Sequence, residues 1–240
     1  MDLRSYYELR GSETPLTEDL PPLAYDGERR RRTAVVAFAS PRPGDHVLDV
    51  GCGDGFLLDA IAAREATVAG VEISAVRLGQ ARTRLAGLRP PVALEIADAA
   101  DLPFPSATFS LVVCTEVLEH LEDPGAALRE ALRVLMPGGR IVCSVPHREH
   151  IAWHRCIHCG EMTSVSGHLT SFDAAKMTAL LEAAGFIEVS TRGTYPLVNR
   201  RGIAGRILRT LPEHLWTRLD VAVGSRANKG NWLMAHAIRP

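Results

Sequence analysis

The sequence predicts an α/β fold in which a mainly parallel β-sheet is covered by helices, and three observations indicate it. Short apolar segments alternate with segments of helical periodicity through most of the chain. The first apolar segment, HVLDV at 46–50, runs into a glycine-rich turn that opens a helical segment. Apolar residues make up 46% of the 240 residues, enough for the core of one large domain. Strands separated by helices favour right-handed crossovers and parallel pairing.

The apolar segments predict strands at 46–50, 67–73, 92–98, 109–117, 140–146, 186–193 and 232–239. A helix opens at Gly55, and further helices are predicted at 74–88, 123–135 and 172–186. Ser74 and Asp123 are the N-caps expected for two of these helices, because their side chains accept hydrogen bonds from the first helical turn. The run PGG at 137–139 is predicted to stop the helix before it.

The domain organisation follows from shifts in composition. Residues 1–40 carry proline, charge and an arginine run, and are predicted to be an N-terminal cap on a single domain at 41–240. Within that domain, 147–170 is a Cys/His-rich insert and 196–230 is predicted to be a helical insert, because arginines interleave there with apolar residues. The helical insert is expected to be a solvated lid, and the alternative is a docking surface for an anionic or lipid-like molecule.

Composition restricts the classes of function. The net charge of −1 argues neither for nor against a nucleic-acid partner. Aromatic residues make up only 5% and the sequence shows no RNA-binding module, so a nucleic-acid partner is not expected. No apolar run is long enough for a membrane span, and the first residues lack the apolar core of a signal peptide. Of the five cysteines, three lie in predicted strands or at strand ends, so we expect a reduced, cytoplasmic protein.

The glycine turn at 51–55 points to a nucleotide-binding crevice. Glycine adopts positive φ and lets the backbone approach a ligand closely, and a strand–turn–helix unit places that ligand at the edge of the sheet. Glu72 ends the second strand about 20 residues after Gly51, where an acidic side chain reaches a ribose diol. Asp98 ends the third strand, where a carboxylate can accept from an adenine amino group.

These blocks together resemble the class I S-adenosylmethionine-dependent methyltransferases, in particular their small-molecule members. The resemblance runs from about residue 47 to residue 185 and rests on VLDVGCGDG, GVEIS, DAADLPFPSATFSLVVCTEVLEHLEDP and LREALRVLMPGGRIVCSVP, in that order. It implies a Rossmann-like sheet of seven mostly parallel strands, the last one antiparallel, with helices on both faces. It also implies that S-adenosylmethionine is the cofactor.

The resemblance assigns the methionine end of the cofactor to the glycine turn. Asp49 and Gly51 are expected to face the amino group through backbone and water contacts, and Gly53 lets the cofactor lie over the turn. The same block includes Cys52 and Gly55 as cofactor-binding residues.

The adenosine end is assigned to the next strands. Glu72 is expected to hold both ribose hydroxyls, Ile73 to pack on the adenine face, Asp98 to contact the adenine amino group and the Ala99 N–H to contact a ring nitrogen. Three consecutive residues are expected to line the floor near the sulfonium, namely Cys114, Thr115 and Glu116.

Two groups of residues are candidate metal ligands. Glu116, Glu119 and His120, followed at a distance by His168, resemble a metal site of quinone-ring O-methyltransferases and of enzymes that methylate the 3′ ends of small RNAs. There a cation such as Mg²⁺ or Zn²⁺ binds acceptor oxygens as a Lewis acid. The same motif occurs in relatives without a metal, where His120 only packs near the cofactor.

The second group contains the pair Cys156 and Cys159, which could hold structural zinc if a histidine completed the site. The candidates are His154, His158 and His168, and the last would be shared with the first group. The alternative is a reduced cysteine pair in a loop.

The expected reaction is methyl transfer to a small-molecule acceptor, most simply to a hydroxyl oxygen, with N- and C-methylation as the alternatives. A sulfonium already activates its methyl group, so the enzyme has to align the nucleophile and exclude water. A hydroxyl also needs a base, for which His147 and His120 are the candidates. The alternatives are a metal-using enzyme acting on RNA 3′ ends or on a lipid or quinone, and a non-catalytic cofactor-binding regulator.

Overall fold

The structure, a computed structural model, describes residues 3–194, 211, 212, 215, 219 and 231–240. Within these residues a seven-stranded sheet and a separate two-stranded hairpin are present. The sheet consists of β1 (His46–Val50), β2 (Thr67–Glu72), β3 (Ala93–Ile96), β4 (Phe109–Thr115), β5 (Leu135–Pro146), β8 (Ile187–Thr194) and β9 (Trp232–Ile238), and the hairpin of β6 (Trp153–Arg155) and β7 (Met162–Ser164).

The strand order of the sheet is β3-β2-β1-β4-β5-β9-β8. The first five strands pair in parallel, whereas β9 pairs antiparallel with both β5 and β8. The predicted Rossmann-like sheet, mostly parallel with an antiparallel last strand, is therefore confirmed.

The described helices are α1 (Leu3–Glu13), α2 (Pro22–Ala39), α3 (Phe56–Ala62), α4 (Ala75–Leu85), α5 (Pro124–Val134) and α6 (Ala174–Ala183), with short 3₁₀ turns at Thr17–Asp19 and Leu118–His120. The predicted caps are present: the Ser74 hydroxyl accepts from the Arg77 N–H at the start of α4, and the Asp123 carboxylate accepts from the Ala126 N–H at the start of α5. These bonds satisfy amide groups that have no partner within the helix.

The core lies on both faces of the sheet. Along β4, Leu111 and Val113 pack with residues of α2, α3 and α4, while Val112 and Cys114 pack with residues of α5 and α6 on the other face. Because side chains alternate along a strand, a strand buried on both faces has to be apolar at nearly every position. This accounts for the uninterrupted apolar runs in the sequence.

The region 135–170 differs from the prediction in two ways. Strand β5 begins directly after α5, and the PGG run lies inside it, where the pairing with β4 shifts register. The C-terminal backbone supports this irregularity, because Gly138 N–H donates to the Arg239 carbonyl and Arg239 N–H donates to the Gly139 carbonyl. The predicted Cys/His-rich insert contains the hairpin β6–β7, which the sequence pattern did not indicate.

The sheet positions the site at one edge. Strand β1 lies between β2 and β4, so the order of the strands reverses there, and the loops after β1 and β4 diverge. Ligands of open α/β sheets bind in the crevice that such a reversal creates at the carboxyl ends of the strands. The glycine turn follows β1, and Glu116 follows β4.

The first 40 residues cover this edge and are held by two carboxylates, one half-buried and one buried. The Glu8 carboxylate accepts from the Ala75 N–H at 2.7 Å and from the Ser74 hydroxyl at 3.1 Å, at the start of α4. The buried Asp54 accepts from both the N–H and the hydroxyl of Thr17, at 3.1 and 2.7 Å. The division of the chain at residues 40 and 41 stays a prediction.

The predicted helical insert at 196–230 lies outside the described residues, apart from 211, 212, 215 and 219. Among the helices of the described part of the chain, none has the length and apolar character needed to cross a membrane.

Candidate functional site

The candidate site is a cleft of about 650 Å³ at the carboxyl edge of β1, β2 and β4. Six residues that the sequence predicts for the cofactor line it, namely Gly51, Glu72, Ile73, Asp98, Ala99 and Glu116. His120 also lines it, together with the apolar residues Val50, Val71, Ala97, Val117 and Leu121. The cleft therefore combines an apolar lining with several carboxylates, as a nucleoside site with a cationic ligand requires.

The floor of the cleft needs glycine at position 51. Gly51 has φ +76°, and a Cβ built there would lie 2.4 Å from Cγ2 of Val117. A side chain at this position would therefore be strained by its backbone and would collide with the opposite wall. The turn approaches the cleft as bare backbone, which is the geometry that a closely bound ligand needs.

Glu72 organises the glycine turn while it faces the cleft. Its carboxylate accepts from the Gly53 N–H and from the Ser74 N–H, each at 3.0 Å, with one oxygen for each donor. A carboxylate has about four acceptor positions, so two remain for a ligand. The same side chain can hold the turn and bind a diol.

Glu116 is held in an unusual backbone conformation by three strands and a helix. Its φ is +56°, which is uncommon for a residue with a side chain. Its oxygens accept from the Ser144 hydroxyl and the Trp232 indole N–H, each at 2.9 Å, and Arg31 lies 3.7 Å away. Residues held in sparsely populated conformations by their surroundings cluster at ligand sites.

Two buried carboxylates near the cleft have oxygens without a hydrogen-bond partner among the described residues. They are Asp49, at Oδ1, and Glu119, at both oxygens. Burial raises the pKa of Asp49 to about 8 although Arg32 lies nearby, and burial raises the pKa of Glu119 well above its usual range, with Glu116 adding to the effect. Buried acceptors of this kind suit a ligand that brings positive charge, such as an ammonium, a sulfonium or a metal ion.

His120 stands beside Glu119 and contacts a second histidine. The rings of His120 and His168 are 4.6 Å apart, and potential ligand atoms of Glu119, His120 and His168 lie within 4.8 Å of one another. His120 Nδ1 lies 3.1 Å from the Gly167 carbonyl, and His168 Nδ1 contacts the Glu149 carboxylate. Burial lowers the pKa of His120 to about 4, so the ring is neutral at pH 7.

A second pocket of about 780 Å³ adjoins the first and is bounded on one side by α1. The two pockets share Tyr7, Glu72, Glu116 and His120, and α1 adds Tyr6 and Arg10 to the second one. Burial raises the pKa of Tyr7, so its phenol stays protonated. Sequence reasoning missed these residues of α1, since nothing in the spacing of residues 3–13 connects them with a sheet edge that begins more than 30 residues later.

The adenine end of the cleft is open. Asp98 is exposed and its Oδ1 accepts from the Ala100 N–H at 2.8 Å, which leaves its second oxygen for a ligand. Ile73 is half-buried, and Ala97 N–H donates to the Glu72 carbonyl at 3.3 Å. These contacts hold the ends of β2 and β3 side by side, so that an apolar face and a carboxylate oxygen lie within one cleft.

Several predicted residues do not line either pocket. Cys52 and Cys114 are buried in the core on opposite faces of the sheet, Thr115 is half-buried at the end of β4, and Gly55 starts α3. His147 is buried where its backbone N–H donates to the Asn231 carbonyl, and it lines neither pocket. His120, and not His147, is thus the predicted base that the structure brings to the cleft.

Cys156 and Cys159 lie at the tip of the hairpin and are free thiols. Among the residues with described placement, the only cluster of three or more potential metal ligands is that of Glu119, His120 and His168. The two predicted metal groups therefore do not share His168, and no described histidine completes the cysteine pair.

An α/β sheet with a carboxylate-lined cleft at its switch point defines a nucleoside-binding enzyme of the Rossmann-like class. A family model described as "Methyltransferase domain" matches residues 48–143. An S-adenosylmethionine-dependent methyltransferase of Mycolicibacterium smegmatis, named as probable, is 34% identical over 188 residues, which cover 77% of this chain and 70% of the relative. The chain belongs to the S-adenosylmethionine-dependent methyltransferases.

Two further proteins are similar to this chain. The ubiquinone biosynthesis O-methyltransferase of Thiobacillus denitrificans is 37% identical over 118 residues, 49% of this chain and 51% of the relative. A chain from the complex between the Trm112 methyltransferase activator and a methyltransferase of Haloferax volcanii superimposes with a TM-score of 0.70. That match has 20% identity and covers 100% of this chain and 98% of the other, and it shows the shared fold.

Proposed function

We propose that this methyltransferase methylates a hydroxyl oxygen of a small molecule, and that His120 is the base. The observation that carries the proposal is the position of His120, which lines both pockets, one for the adenosine moiety and one under α1. The Gly167 carbonyl can only accept a hydrogen bond, so His120 Nδ1 carries the proton of the neutral ring. Nε2 is then the free acceptor for the proton of a hydroxyl group.

The residues of the cleft fit S-adenosylmethionine. The bare backbone at Gly51, the two open acceptor positions of Glu72 and the buried Oδ1 of Asp49 suit a ligand with a ribose diol and positive charge. S-adenosylmethionine is consumed as a substrate and supplies a methyl group already activated on its sulfonium. The carbon–sulfur bond breaks, the oxygen–methyl bond forms, and the hydroxyl proton goes to Nε2 of His120.

The proposal also draws on a relative, the Thiobacillus denitrificans enzyme, whose name assigns it O-methylation. The sheet edge and α1 bound the second pocket, and its lining mixes aromatic with charged residues, as in Tyr6, Tyr7 and Arg10. A ring compound with a hydroxyl group suits such a lining, because the aromatic rings stack and the polar groups orient.

The test is turnover with a panel of phenols, aliphatic alcohols and amines, with formation of S-adenosylhomocysteine as the readout. A methyl group labelled with ¹³C identifies the methylated atom by NMR. We expect an O-methylated product, and a fall in kcat of about 10²- to 10⁴-fold in His120→Ala without weaker cofactor binding. His150→Ala, which removes an exposed histidine of the same region, is the control. N-methylation, unchanged kcat in His120→Ala, or cofactor binding without any turnover would contradict the proposal.

A second candidate function is O-methylation assisted by a divalent cation, and the cluster of Glu119, His120 and His168 favours it. His120 and His168 each make their hydrogen bond through Nδ1, so Nε2 of each ring is available to bind a metal ion. The Glu149 carboxylate contacts Nδ1 of His168, and a carboxylate in this position typically orients a histidine that binds a metal ion through its other nitrogen. A bound cation would supply Lewis-acid activation of an acceptor with two neighbouring oxygens, such as a quinol ring or a terminal ribose.

Chelation separates the two candidates. In the metal-assisted reaction, chelator-treated enzyme loses turnover, Mg²⁺, Mn²⁺ or Zn²⁺ restores it, and Glu119→Gln weakens the metal affinity measured by calorimetry. If chelator-treated enzyme turns over at the original rate and binds no cation, His120 acts as a base alone.

We also propose a reducing, cytoplasmic location. Cys52, Cys114 and Cys143 are buried free thiols, and burial raises the pKa of the first of them. Thiols of this kind are typical of proteins that work in a reducing compartment. Localisation of a fluorescent fusion in the native host checks this.

A further inference from the structure

The second pocket contains two arginines to which the methyl-transfer chemistry gives no role. Arg10 lies on α1 and Arg77 on α4, and both line this pocket together with His120. Arg77 is half-buried, whereas Arg10 is exposed. Nη1 of Arg77 donates to the neutral side chain of Gln80, at Oε1, over 2.9 Å. A guanidinium has five N–H donors, so most of those of Arg77 remain available to a ligand.

Other arginines near the pocket are paired with carboxylates. Arg31 and Arg32 lie 2.6 and 2.7 Å from the Glu28 carboxylate. Within the part of the chain that the structure describes, Arg10 and Arg77 have no such ion pair. Their positive charges are therefore not compensated by a neighbouring side chain.

The two carboxylates of the pocket have other partners. Glu72 accepts from two backbone N–H groups of the glycine turn and the start of α4, and its open positions are assigned to the ribose. Glu116 accepts two hydrogen bonds, and Arg31 lies 3.7 Å from it. Because neither carboxylate is paired with Arg10 or Arg77, a ligand can bring the missing negative charge.

The side chain of Arg77 is held between two glycines. A Cβ built at Gly11 of α1 would lie 3.0 Å from Cγ of Arg77 and 2.5 Å from Oγ of Ser74, and one built at Gly53 would lie 3.3 Å from Nη2 of Arg77. Glycine inside a helix is less favourable than alanine, and this close packing accounts for it at position 11. The guanidinium is thus placed at the glycine turn before a ligand binds, which reduces the entropy lost on binding.

The carboxylate of S-adenosylmethionine is another anion that these arginines could bind. It is attached to the same carbon atom as the amino group, which is expected at Asp49. The cations that act on the Asp49 carboxyl, and oppose the effect of burial on its pKa, are Arg32 and Arg31 of α2. The cofactor carboxylate therefore has these cations nearby, and Arg10 and Arg77 remain for the methyl acceptor.

We propose that the methyl acceptor carries an anionic group, a carboxylate or a phosphate, which Arg77 and Arg10 bind, an inference that rests on the proposed function because it places the acceptor in the second pocket. The planar guanidinium matches the oxygens of both anions with parallel hydrogen bonds. The volume of about 780 Å³ is sufficient for a small ring compound with a hydroxyl and an anionic group. Neutral compounds of the same shape are then poor acceptors.

The test uses the full chain saturated with S-adenosylhomocysteine, and pairs of hydroxy compounds that differ in charge. Dihydroxybenzoate is compared with dihydroxybenzamide, and hydroxyphenyl phosphate with the corresponding diol. In titration calorimetry we expect the anion of at least one pair to bind about 10- to 100-fold more tightly than its neutral counterpart, because hydrogen bonds between charged groups are the stronger ones. The two pairs show which anion the pocket takes. The preference should decrease as the NaCl concentration rises.

Variants identify the two arginines as the binding groups. Arg77→Gln keeps most of the side chain and removes its charge, so it should weaken binding of the anionic compound about 10- to 100-fold and change binding of the neutral one less than about twofold. Arg10→Gln should weaken anion binding only about 2- to 5-fold, because exposed ion pairs contribute little. Arg82→Gln, which removes an exposed cation of the same helix outside both pockets, is the control and should change neither affinity.

Turnover with S-adenosylmethionine gives an independent measurement. In Arg77→Gln the KM for an anionic acceptor should rise while kcat stays nearly unchanged, because His120 is still present. Turnover of neutral phenols alone would leave the proposed function intact and overturn this inference. N-methylation of an anionic amine that depends on Arg77 would contradict the hydroxyl acceptor and support the anion site.

Three binding results would also overturn the inference. The first is that no anionic compound of the panel binds, and the second is that Arg77→Gln binds the anion as tightly as the parent chain. The third uses 5′-methylthioadenosine, which lacks the amino-acid end of the cofactor. If Arg77→Gln binds S-adenosylhomocysteine more weakly but 5′-methylthioadenosine with unchanged affinity, Arg77 holds the carboxylate of the cofactor instead.

Discussion

The Glu72 carboxylate is predicted to have two roles, holding the glycine turn and binding the ribose of the cofactor. Substitution of Glu72 tests the two roles separately. Two of its acceptor positions are occupied by the Gly53 and Ser74 N–H groups, each at 3.0 Å, and two are open. Hydrogen bonds to a charged group contribute on the order of 1–3 kcal/mol, so Glu72→Ala should weaken binding of S-adenosylmethionine by about 5- to 150-fold. Loss of the two backbone contacts should lower the free energy of unfolding by a similar amount.

Titration calorimetry with S-adenosylhomocysteine and unfolding in urea measure the two effects. Glu72→Gln is informative, because its amide has one acceptor oxygen instead of two and must direct its NH₂ group at one of the two N–H donors. Glu95→Gln, on the exposed face of β3, is the matched control and should change neither quantity. If Glu72→Ala is less stable but binds with unchanged affinity, the side chain only supports the turn and the assignment to the ribose is wrong.

Three further predictions rest on single contacts. Gly51→Ala should abolish detectable cofactor binding in calorimetry, and adding Val117→Ala should not rescue it fully, because shortening Val117 relieves only the contact at 2.4 Å and leaves the strained φ of +76° at position 51. Burial raises the pKa of Asp49 to about 8, above its value in the unfolded chain, so the stability that its protonated form contributes is complete below about pH 4 and is lost as the pH rises towards 8. The free energy of unfolding in urea, measured between pH 5 and 8, should therefore fall less steeply with pH in Asp49→Asn than in the parent chain. Equal pH dependence in the two proteins would contradict this. Asp54→Ala removes the acceptor of both Thr17 hydrogen bonds and should lower the free energy of unfolding in urea by about 3 kcal/mol. Proteolysis before residue 40 should also become faster. Unchanged proteolysis would show that other contacts hold this segment.

The positions of the strands could be predicted because local physics determines them, whereas the antiparallel last strand was implied by the family resemblance. Strand β4 is buried on both faces, so its apolar run is continuous, and the caps at Ser74 and Asp123 need only their own helices. The predicted cleft residues follow from the same logic, since the carboxyl ends of parallel strands meet at one edge.

The parts that were missed depend on contacts between distant segments. The PGG run stays within β5 because the backbone of Arg239 hydrogen-bonds to both of its glycines, and no local signal shows that pairing. Cys114 was expected near the sulfonium, but alternation along β4 turns it into the core. The contribution of Tyr7 depends on where α1 lies, which the Glu8 contact with the start of α4 determines.

The position of α1 has a consequence for the speed of the catalytic cycle. Tyr6, Tyr7 and Arg10 line the pocket beside the cleft, and Glu8 ties this helix to the first turn of α4. Tyr7 of this helix also lines the cleft, so the few bonds that hold α1 in place affect how closely a ligand in the cleft is covered. Weaker hydrogen bonds at Glu8 would speed the release of S-adenosylhomocysteine and would also admit water to the cleft sooner. These two effects change the catalytic rate in opposite directions.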